Sequence, residues 1–149
     1  MHDGELELEL TESALLKDVD HAQKLMQRLR RHGVNLAIDD FGTGYSSMAY
    51  LRDFPITTLK IDRSFIMNAP DDKAAGAILH SMVELATHTD KVIVAEGIET
   101  KQQEQLVRSL GCEFAQGFLL GKPMDAGQMQ DLLIAQTEKN VRYLPYSSD

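Results

Sequence analysis

The chain has 149 residues, of which 43% are hydrophobic and 26% charged, with a formal net charge of −8; this is the composition of one globular domain, not of a disordered or fibrous protein. The acidic charge argues against polymeric DNA or RNA as the main partner, because such complexes depend on lysine and arginine contacts to phosphate. No apolar run approaches the ~20 residues of a membrane span, the first residues do not resemble a signal peptide, and Cys112 is the single cysteine, so we expect a cytoplasmic protein without disulfides.

Strand and helix patterns alternate along the whole chain. In chain order we expect a strand at Leu6–Leu10, a helix from Leu15 that ends at Gly33, a strand at Val34–Ile38, a short helix at 45–52, a strand at Ile56–Ile61, a helix at 71–88, a strand at Val92–Ala95, a helix at 100–110, a strand at Phe114–Gln116 and a helix at 125–137. Five βα units in succession indicate an α/β fold with a parallel sheet, either open and doubly wound or part of a (β/α) barrel.

Every predicted strand ends in polar, chemically capable side chains. In chain order they are Glu9 and Glu12, Asp39 and Asp40, Lys60 and Asp62, Glu96 and Glu99, and Gln116. In a (β/α) barrel the carboxyl ends of all strands open on one face, so these groups would converge. Clustered carboxylates need a cation among them, and oxygen ligands suit Mg²⁺ or Mn²⁺. The pattern favours one or two metal ions that activate water, with Lys60 placing that water or stabilising charge.

Each of these residues also has a purely structural interpretation. Taken singly, Glu7 and Glu9 fit the solvent side of an edge strand, and Asp39 with Asp40 fits a turn with a helix cap. Lys60 and Asp62 fit a surface ion pair. Glu96 and Glu99 fit a polar loop before a helix with Thr100 as its N-cap. The coincidence of acidic groups at four strand ends, rather than any one residue, favours the metal site.

Five sequence blocks resemble the EAL family and stand in that family's order. They are Leu8–Ser13 (LELTES), Asp39–Ser47 (DDFGTGYSS), Leu59–Asp62 (LKID), Val94–Thr100 (VAEGIET) and Ala115–Phe118 (AQGF), followed by Gly121–Met124 (GKPM). The resemblance covers about residues 5–137. It implies a (β/α)₈-type barrel, with residues 1–137 as part of the domain and 138–149 as a tail. It also implies a phosphodiesterase that opens cyclic di-GMP to linear pGpG with two Mg²⁺ or Mn²⁺ ions.

The resemblance implies roles for the residues at the strand ends. Those that resemble metal ligands are Glu9, Asp39, Asp40 and Glu96. Glu96 is also a candidate base, and Lys60 resembles the residue that orients the attacking water. The groups that resemble supports for the ligands or their loop are Glu12, Asp62, Glu99 and Gln116; of these, Glu12 resembles the glutamate that links metal binding to dimerisation. The implied partners are cyclic di-GMP, a second copy of the chain, and a sensor or diguanylate cyclase domain in the parent protein. The resemblance is also compatible with a parent protein that is anchored in a membrane.

Two family motifs do not occur in this sequence. They are the Glu-Ala-Leu segment, with its metal-binding glutamate and following arginine, and an Asn-Leu-Ser block on the next strand. We therefore expect five of eight strands, a metal site short of two ligands, and a chain that is inactive alone and self-associates or recruits the missing strands. We expect the residues that fill the barrel centre to include Leu36, Ile38, Leu59, Ile61 and Val94. The alternatives are a non-catalytic EAL-like module that binds a protein or cyclic di-GMP, and an enolase-type barrel, which the Asp39-Asp40 pair disfavours.

Overall fold

The computed structural model describes residues 6–11, 18–43, 51 and 53–139, with side chains as far as 135. The strands are β1 (Glu7–Thr11), β2 (Asn35–Phe41), β3 (Thr58–Ile61), β4 (Val92–Ala95) and β5 (Phe114–Ala115). The helices are α1 (Val19–Arg31), α2 (Arg63–Met67), α3 (Lys73–His88), α4 (Lys101–Ser109) and α5 (Ala126–Lys139). All five predicted strands are present, and α2 was not predicted. The predicted helix at 45–52 lies almost wholly outside the described residues, as does most of the predicted tail.

The five strands form one sheet in which every neighbouring pair is parallel and the order is β1-β2-β3-β4-β5. The predicted parallel α/β architecture is therefore confirmed. A doubly wound sheet reverses its strand order at a switch point, whereas this order increases steadily from one edge to the other. That arrangement is the one found along a stretch of a (β/α) barrel wall.

One face of the sheet is covered by helices and carries the core. A row of paired residues runs across it, consisting of Leu10, Ile38, Leu59 and Ile93, and this row packs with Met26 of α1, Leu79 of α3 and Val107 of α4. The burial corrects the expectation that Leu36, Ile38, Leu59 and Ile61 fill a barrel centre, because all four belong to this helix-covered core. Since successive strand residues point to opposite faces, Lys60 and Val94 project from the other face.

The helices begin at residues whose side chains bind free backbone amides. Asp18 caps α1, Asp72 caps α3, and Thr100 caps α4 in a reciprocal pair with Gln103, which confirms the N-cap predicted at Thr100. The buried stripe of α3 consists of Leu79, Met82, Val83 and Ala86. Ile78 is half exposed, because it lies roughly a quarter turn from the centre of that stripe. None of the described helices has the length and apolarity that a membrane crossing requires.

Candidate metal centre

Lys60 lies at the centre of a cluster of carboxylates on the face of the sheet opposite the core. The residue is 7% exposed. Its Nζ atom lies 2.7 Å from Glu9 Oε1, 2.9 Å from Glu96 Oε1 and 3.1 Å from Asp39 Oδ1. Strands β1, β2 and β3 and the end of β4 thus contribute one charged group each. The structure brings together the groups that sequence spacing had placed at separate strand ends.

A bulge in β2 directs both of its aspartates toward this cluster. Ile38 pairs with Leu59 and Phe41 pairs with Ile61, so β2 uses one more residue than β3 over the same stretch. Asp40 lies in the bulge with φ 54, in the left-handed region that aspartate tolerates better than most residues. In a regular strand two successive side chains would point to opposite faces. Here, carboxylate oxygens of Asp39, Asp40 and Glu96 lie within 4.8 Å of one another.

The loop that follows the bulge holds the backbone of Asp40 in place. Thr43 donates to the Asp40 carbonyl oxygen from its amide nitrogen at 3.2 Å and from its hydroxyl at 2.8 Å. Gly42 has φ +94, and a Cβ there would lie 2.5 Å from Met82 Cε and 3.0 Å from the Phe65 ring. Glycine is required at this position both by its backbone conformation and by this packing. The loop therefore links the site to α2 and α3.

The electrostatics of the cluster leave it with excess negative charge. Burial alone would lower the pKa of Lys60, but the contacts with Glu9, Glu96 and Asp39 outweigh burial and raise that pKa, so the ammonium stays charged. Burial raises the pKa of Glu96; Lys60 opposes this rise, and the Asp39 and Glu9 carboxylates add to it. One lysine faces three carboxylates directly and Asp40 nearby. This imbalance favours binding of a further cation.

The donor set fits a hard divalent ion. Asp39 Oδ1 is buried and accepts no hydrogen bond from the described residues; its 3.1 Å approach to Lys60 Nζ is an ion pair without hydrogen-bond geometry. A buried carboxylate oxygen in this state is costly unless another positive partner is present. One carboxylate oxygen of each of Asp39, Asp40 and Glu96 lies within 4.8 Å of the other two, close enough to share an ion. Oxygen ligands of this kind are those that Mg²⁺ and Mn²⁺ prefer.

The remaining predicted site residues differ in where they lie. Gln116 joins the cluster, because its Nε2 donates to Glu96 Oε1 at 2.6 Å. Glu99 instead forms an ion pair with Arg63 at 3.7 Å. Asp62 caps α2 by accepting from the Ser64 amide at 3.0 Å, and hydrogen bonding from Ser64 holds the pKa of Asp62 below its usual value. Glu12 lies outside the described residues.

Two of the structural alternatives considered for these residues are wrong. Lys60 and Asp62 are not a surface ion pair, because Lys60 is buried among other carboxylates and Asp62 lies past the end of β3 as a helix cap. Asp39 and Asp40 do not form a turn and helix cap, because both lie within β2. Glu9 does lie on an edge strand with its side chain 51% exposed, but it also binds Lys60.

A cleft of about 450 Å³ lies beside the Glu96–Gln116 pair. Its lining residues are Arg63, Gly97, Glu99, Gln116, Gly117, Phe118, Gly121, Lys122 and Pro123. Sequence reasoning had not assigned Arg63, Phe118 or Lys122 to the site. A signal was present, because Arg63 comes two residues after the end of β3 and the other two come after β5. What it lacked was the geometry that brings the segments after β3 and β5 to one cleft.

Comparison with known proteins identifies relatives of this chain over most of its length. A family model described as the EAL domain matches residues 1–123. Cyclic di-GMP phosphodiesterase NbdA of Pseudomonas aeruginosa is 45% identical over 130 residues, which are 87% of this chain and 17% of NbdA. From the same organism, the bifunctional diguanylate cyclase/cyclic di-GMP phosphodiesterase MucR is 46% identical over 122 residues, which are 82% of this chain and 18% of MucR.

Solved structures agree with these sequence relatives. The PaMucR phosphodiesterase in complex with c-di-GMP superposes with a TM-score of 0.79 at 46% identity, covering 83% of this chain and 50% of that chain. A manganese/cy-diGMP complex of Klebsiella pneumoniae BlrP1 gives a TM-score of 0.74 at 33% identity, covering 78% of this chain and 30% of that chain. The chain spans less than a fifth of the length of NbdA and MucR.

Proposed function

Because the chain belongs to the EAL domain family, we propose that it forms the C-terminal part of a cyclic di-GMP phosphodiesterase domain. The observation that carries the proposal is the carboxylate cluster around buried Lys60, which gathers Glu9, Asp39 and Glu96 with Asp40 close by. A purely structural sheet would gain nothing from four acidic groups at one point. The names of NbdA and MucR state the same activity for those proteins.

In this proposal the four carboxylates hold two Mg²⁺ or Mn²⁺ ions. When bound, such ions activate a water molecule and neutralise charge that develops on a phosphodiester. Asp39, Asp40 and Glu96 supply ligand oxygens from β2 and from the end of β4, and Glu9 supplies one from β1. The manganese complex of BlrP1 supports this choice of metal. The buried Asp39 Oδ1, which accepts no hydrogen bond from the described residues, favours a further cation at the site.

Lys60 and Glu96 have distinct roles in the proposed chemistry. Lys60 Nζ points into the cluster and is held on three sides, so it can orient the attacking water and stabilise negative charge on phosphate oxygens. The Glu96 side chain is 14% exposed, and Gln116 fixes one of its oxygens. Glu96 is therefore oriented to accept a proton from the water at its carboxylate.

The cleft beside Glu96 gives room for the remainder of a cyclic dinucleotide. Phe118 is 61% exposed and offers an aromatic face on which a base can stack. Arg63 and Lys122 bring two positive charges to the same cleft, which suits a phosphate group. The c-di-GMP complex of PaMucR supports this choice of substrate.

The activity of these 149 residues alone is a separate proposal. Glu9 lies on β1, which pairs only with β2 among the described strands, and the chain matches only half of the PaMucR phosphodiesterase structure. We propose that the chain alone does not hydrolyse cyclic di-GMP. We further place the domain in the cytoplasm, in a longer protein whose other domains sense a signal or synthesise cyclic di-GMP, since MucR combines cyclase and phosphodiesterase in one protein.

The test is a hydrolysis assay on two forms of the protein. The 149-residue chain, and the same chain preceded by the N-terminal half of the PaMucR phosphodiesterase, would be incubated with cyclic di-GMP and Mn²⁺. We expect linear pGpG from the extended form only. Loss of that product on Asp39→Asn, with retention on Asp90→Asn, would assign the chemistry to the cluster. The proposal would be contradicted if hydrolysis survived Asp39→Asn, or if the extended form folded but showed no hydrolysis. Hydrolysis by the 149-residue chain alone would contradict the predicted inactivity of that chain.

A further inference from the structure

The turn after β5 lies against the loop after β4, backbone to backbone. A Cβ on Gly117 would lie 2.2 Å from both the nitrogen and the oxygen of Ile98. Real Cβ contacts are not that short, and the obstructing atoms are main-chain atoms that no rotamer change can move. Any residue other than glycine at position 117 would therefore force the turn and the loop apart.

Three hydrogen bonds join the same two segments on either side of Glu96. The Gln116 amide donates to the Ala95 carbonyl at 2.9 Å, and the Ile98 amide donates to the Gln116 carbonyl at 3.0 Å. The Leu119 amide donates to the Ile98 carbonyl at 3.0 Å. The residue before Glu96 and the residue two positions after it are thus both tied to the turn. Glu96 itself is tied to β3, since its amide donates to the Ile61 carbonyl at 3.0 Å.

The opposite side of the same loop is equally confined. Gly97 has φ +71, and a Cβ there would lie 2.4 Å from Arg63 Cβ, at the start of α2. The loop that carries Glu96 is therefore held between α2 on one side and the Gln116–Leu119 turn on the other. A displacement of the turn leaves the loop without its partner on that side.

We propose that Gly117 is a positioning residue for Glu96. By letting the turn approach Ile98 this closely, Gly117 lets the Gln116 side-chain Nε2 donate to Glu96 Oε1 at 2.6 Å. It thereby keeps that carboxylate within reach of Asp39, Asp40 and Lys60. A methyl group at position 117 must move the turn by more than 1 Å to reach an ordinary contact distance of 3.4 Å. That movement breaks the Gln116–Glu96 hydrogen bond. The inference rests on the proposed metal site and adds the group that orients one of its ligands.

The first experiment measures the affinity of the 149-residue chain for Mn²⁺ by isothermal titration calorimetry. We expect Gly117→Ala to weaken binding by about 10–100-fold, the range seen when groups that orient metal ligands are removed. The chain offers a matched control at Gly111, which lies outside the cleft and the turn. A Cβ on Gly111 meets no atom within 4 Å, although its φ is +91. Gly111→Ala should leave Mn²⁺ affinity within about twofold, even though the substitution strains the backbone at that position.

The second step asks whether Gly117 acts through Glu96. In a Glu96→Gln background, Gly117→Ala should weaken Mn²⁺ binding no further, because the ligand that it positions is already lost. Equal weakening in both backgrounds would overturn the inference, and so would unchanged affinity on Gly117→Ala. If Gly117→Ala does not fold, Gln116→Leu removes the side-chain hydrogen bond to Glu96 while keeping the glycine, and the same weakening is expected from it.

A metal-free measurement separates this inference from the proposed function. In chelator, Gln116→Leu and Glu96→Gln should shift the urea midpoint by amounts that are not additive, because the two side chains are hydrogen bonded. The non-additivity should vanish in the Gly117→Ala background. If the wild-type chain binds no Mn²⁺ but this coupling vanishes as expected, these 149 residues do not form the metal site by themselves and the positioning inference stands. If the coupling persists in the Gly117→Ala background, the inference is wrong whatever the metal does.

Discussion

Asp39 and Asp40 are consecutive in the chain, yet a carboxylate oxygen of each lies within 4.8 Å of the other and of Glu96. The bulge in β2 makes this possible, because it interrupts the alternation that would send one of the two side chains to the core. The left-handed backbone of Asp40 is thus part of the site. Its cost is of order 1–3 kcal/mol for a non-glycine residue, with aspartate among the better tolerated.

The paired aspartates predict a charge-specific loss of metal binding. Asp40→Asn keeps a residue that accepts the left-handed conformation and removes one anionic ligand, so Mn²⁺ affinity should fall by at least about 10-fold while the thermal midpoint changes little. Asp90→Asn is the matched control, since Asp90 is exposed and has φ 53. Calorimetric titration of both variants checks this. A comparable loss in Asp90→Asn, or none in Asp40→Asn, would remove Asp40 from the ligand set.

Replacement of Lys60 should lower the free energy of unfolding, and bound metal should offset part of this loss. Lys60→Met leaves Glu9, Asp39 and Glu96 without their shared cation. A fully buried pair loses ~3–5 kcal/mol when one partner is removed. The Glu9 side chain is 51% exposed, so water screens part of the effect and we expect about 2 kcal/mol. Urea unfolding with and without Mg²⁺ measures it, and added Mg²⁺ should recover more stability in the variant than in the wild type.

The same variant has a defined pH dependence. Lys60 opposes the rise in the pKa of Glu96, so without Lys60 burial and the neighbouring carboxylates raise that pKa further, and protonation of Glu96 relieves the repulsion. The stability difference between wild type and Lys60→Met should therefore be greatest near neutral pH and shrink as pH falls through the carboxylate range. A difference that is constant from neutral to acidic pH would show that the loss comes from packing of the lysine side chain instead.

The sequence predicted the elements better than it predicted the directions of their side chains. The run Val92–Ala95 is apolar and ends at Glu96, and β4 has the predicted bounds. Because side chains alternate along a strand, Leu59 and Ile61 must face away from Lys60. The expectation that Leu59 and Ile61 fill the barrel centre did not take this alternation into account. The bulge at Asp39 and Asp40 could not be predicted in this way, because it depends on the register between β2 and β3.

Asp62 predicts a contribution to stability in acid. Its pKa is lowered, chiefly by the hydrogen bond from Ser64 at the start of α2. A lowered folded-state pKa stabilises the protein above the unfolded-state pKa, and this contribution is lost as pH falls through the folded-state value. Asp62→Asn retains a capping side chain and should remove that part of the acid dependence. Urea unfolding midpoints measured below about pH 5 test this contribution of Asp62, and Asp71→Asn at an exposed position is the control. If the midpoints of wild type and Asp62→Asn fall with pH in the same way, Asp62 makes no such contribution.

Cys112 provides a probe of whether the 149-residue chain folds by itself. The thiol is buried in the core, and burial raises its pKa to about 12. At about pH 8 it should be almost wholly protonated and inaccessible, and therefore unreactive toward iodoacetamide. Mass spectrometry should find no adduct in native buffer and one adduct in guanidinium chloride. Rapid labelling in native buffer would show that the core around β4 and α4 is not formed in the isolated chain.

The free edges of the sheet predict self-association. No described strand pairs with the outer edge of β1 or of β5, so each presents unpaired backbone donors and acceptors to another chain. Leu8 of β1 is also 36% exposed. Light scattering after size-exclusion chromatography should therefore give a mass above the 16.7 kDa of one chain.

A lysine on an exposed edge strand disfavours pairing with a second edge, because the pairing buries its charge. Leu8→Lys should therefore shift the population toward the monomer. Ile78→Lys adds the same charge to an exposed position on α3, away from either edge, and should leave the mass distribution unchanged. If both variants dissociate equally, the association depends on the net charge of the chain rather than on pairing of strand edges. A wild-type chain that stays monomeric as its concentration rises would mean that the edge of β1 is covered by residues of the same chain, and that the sheet needs no partner to be stable.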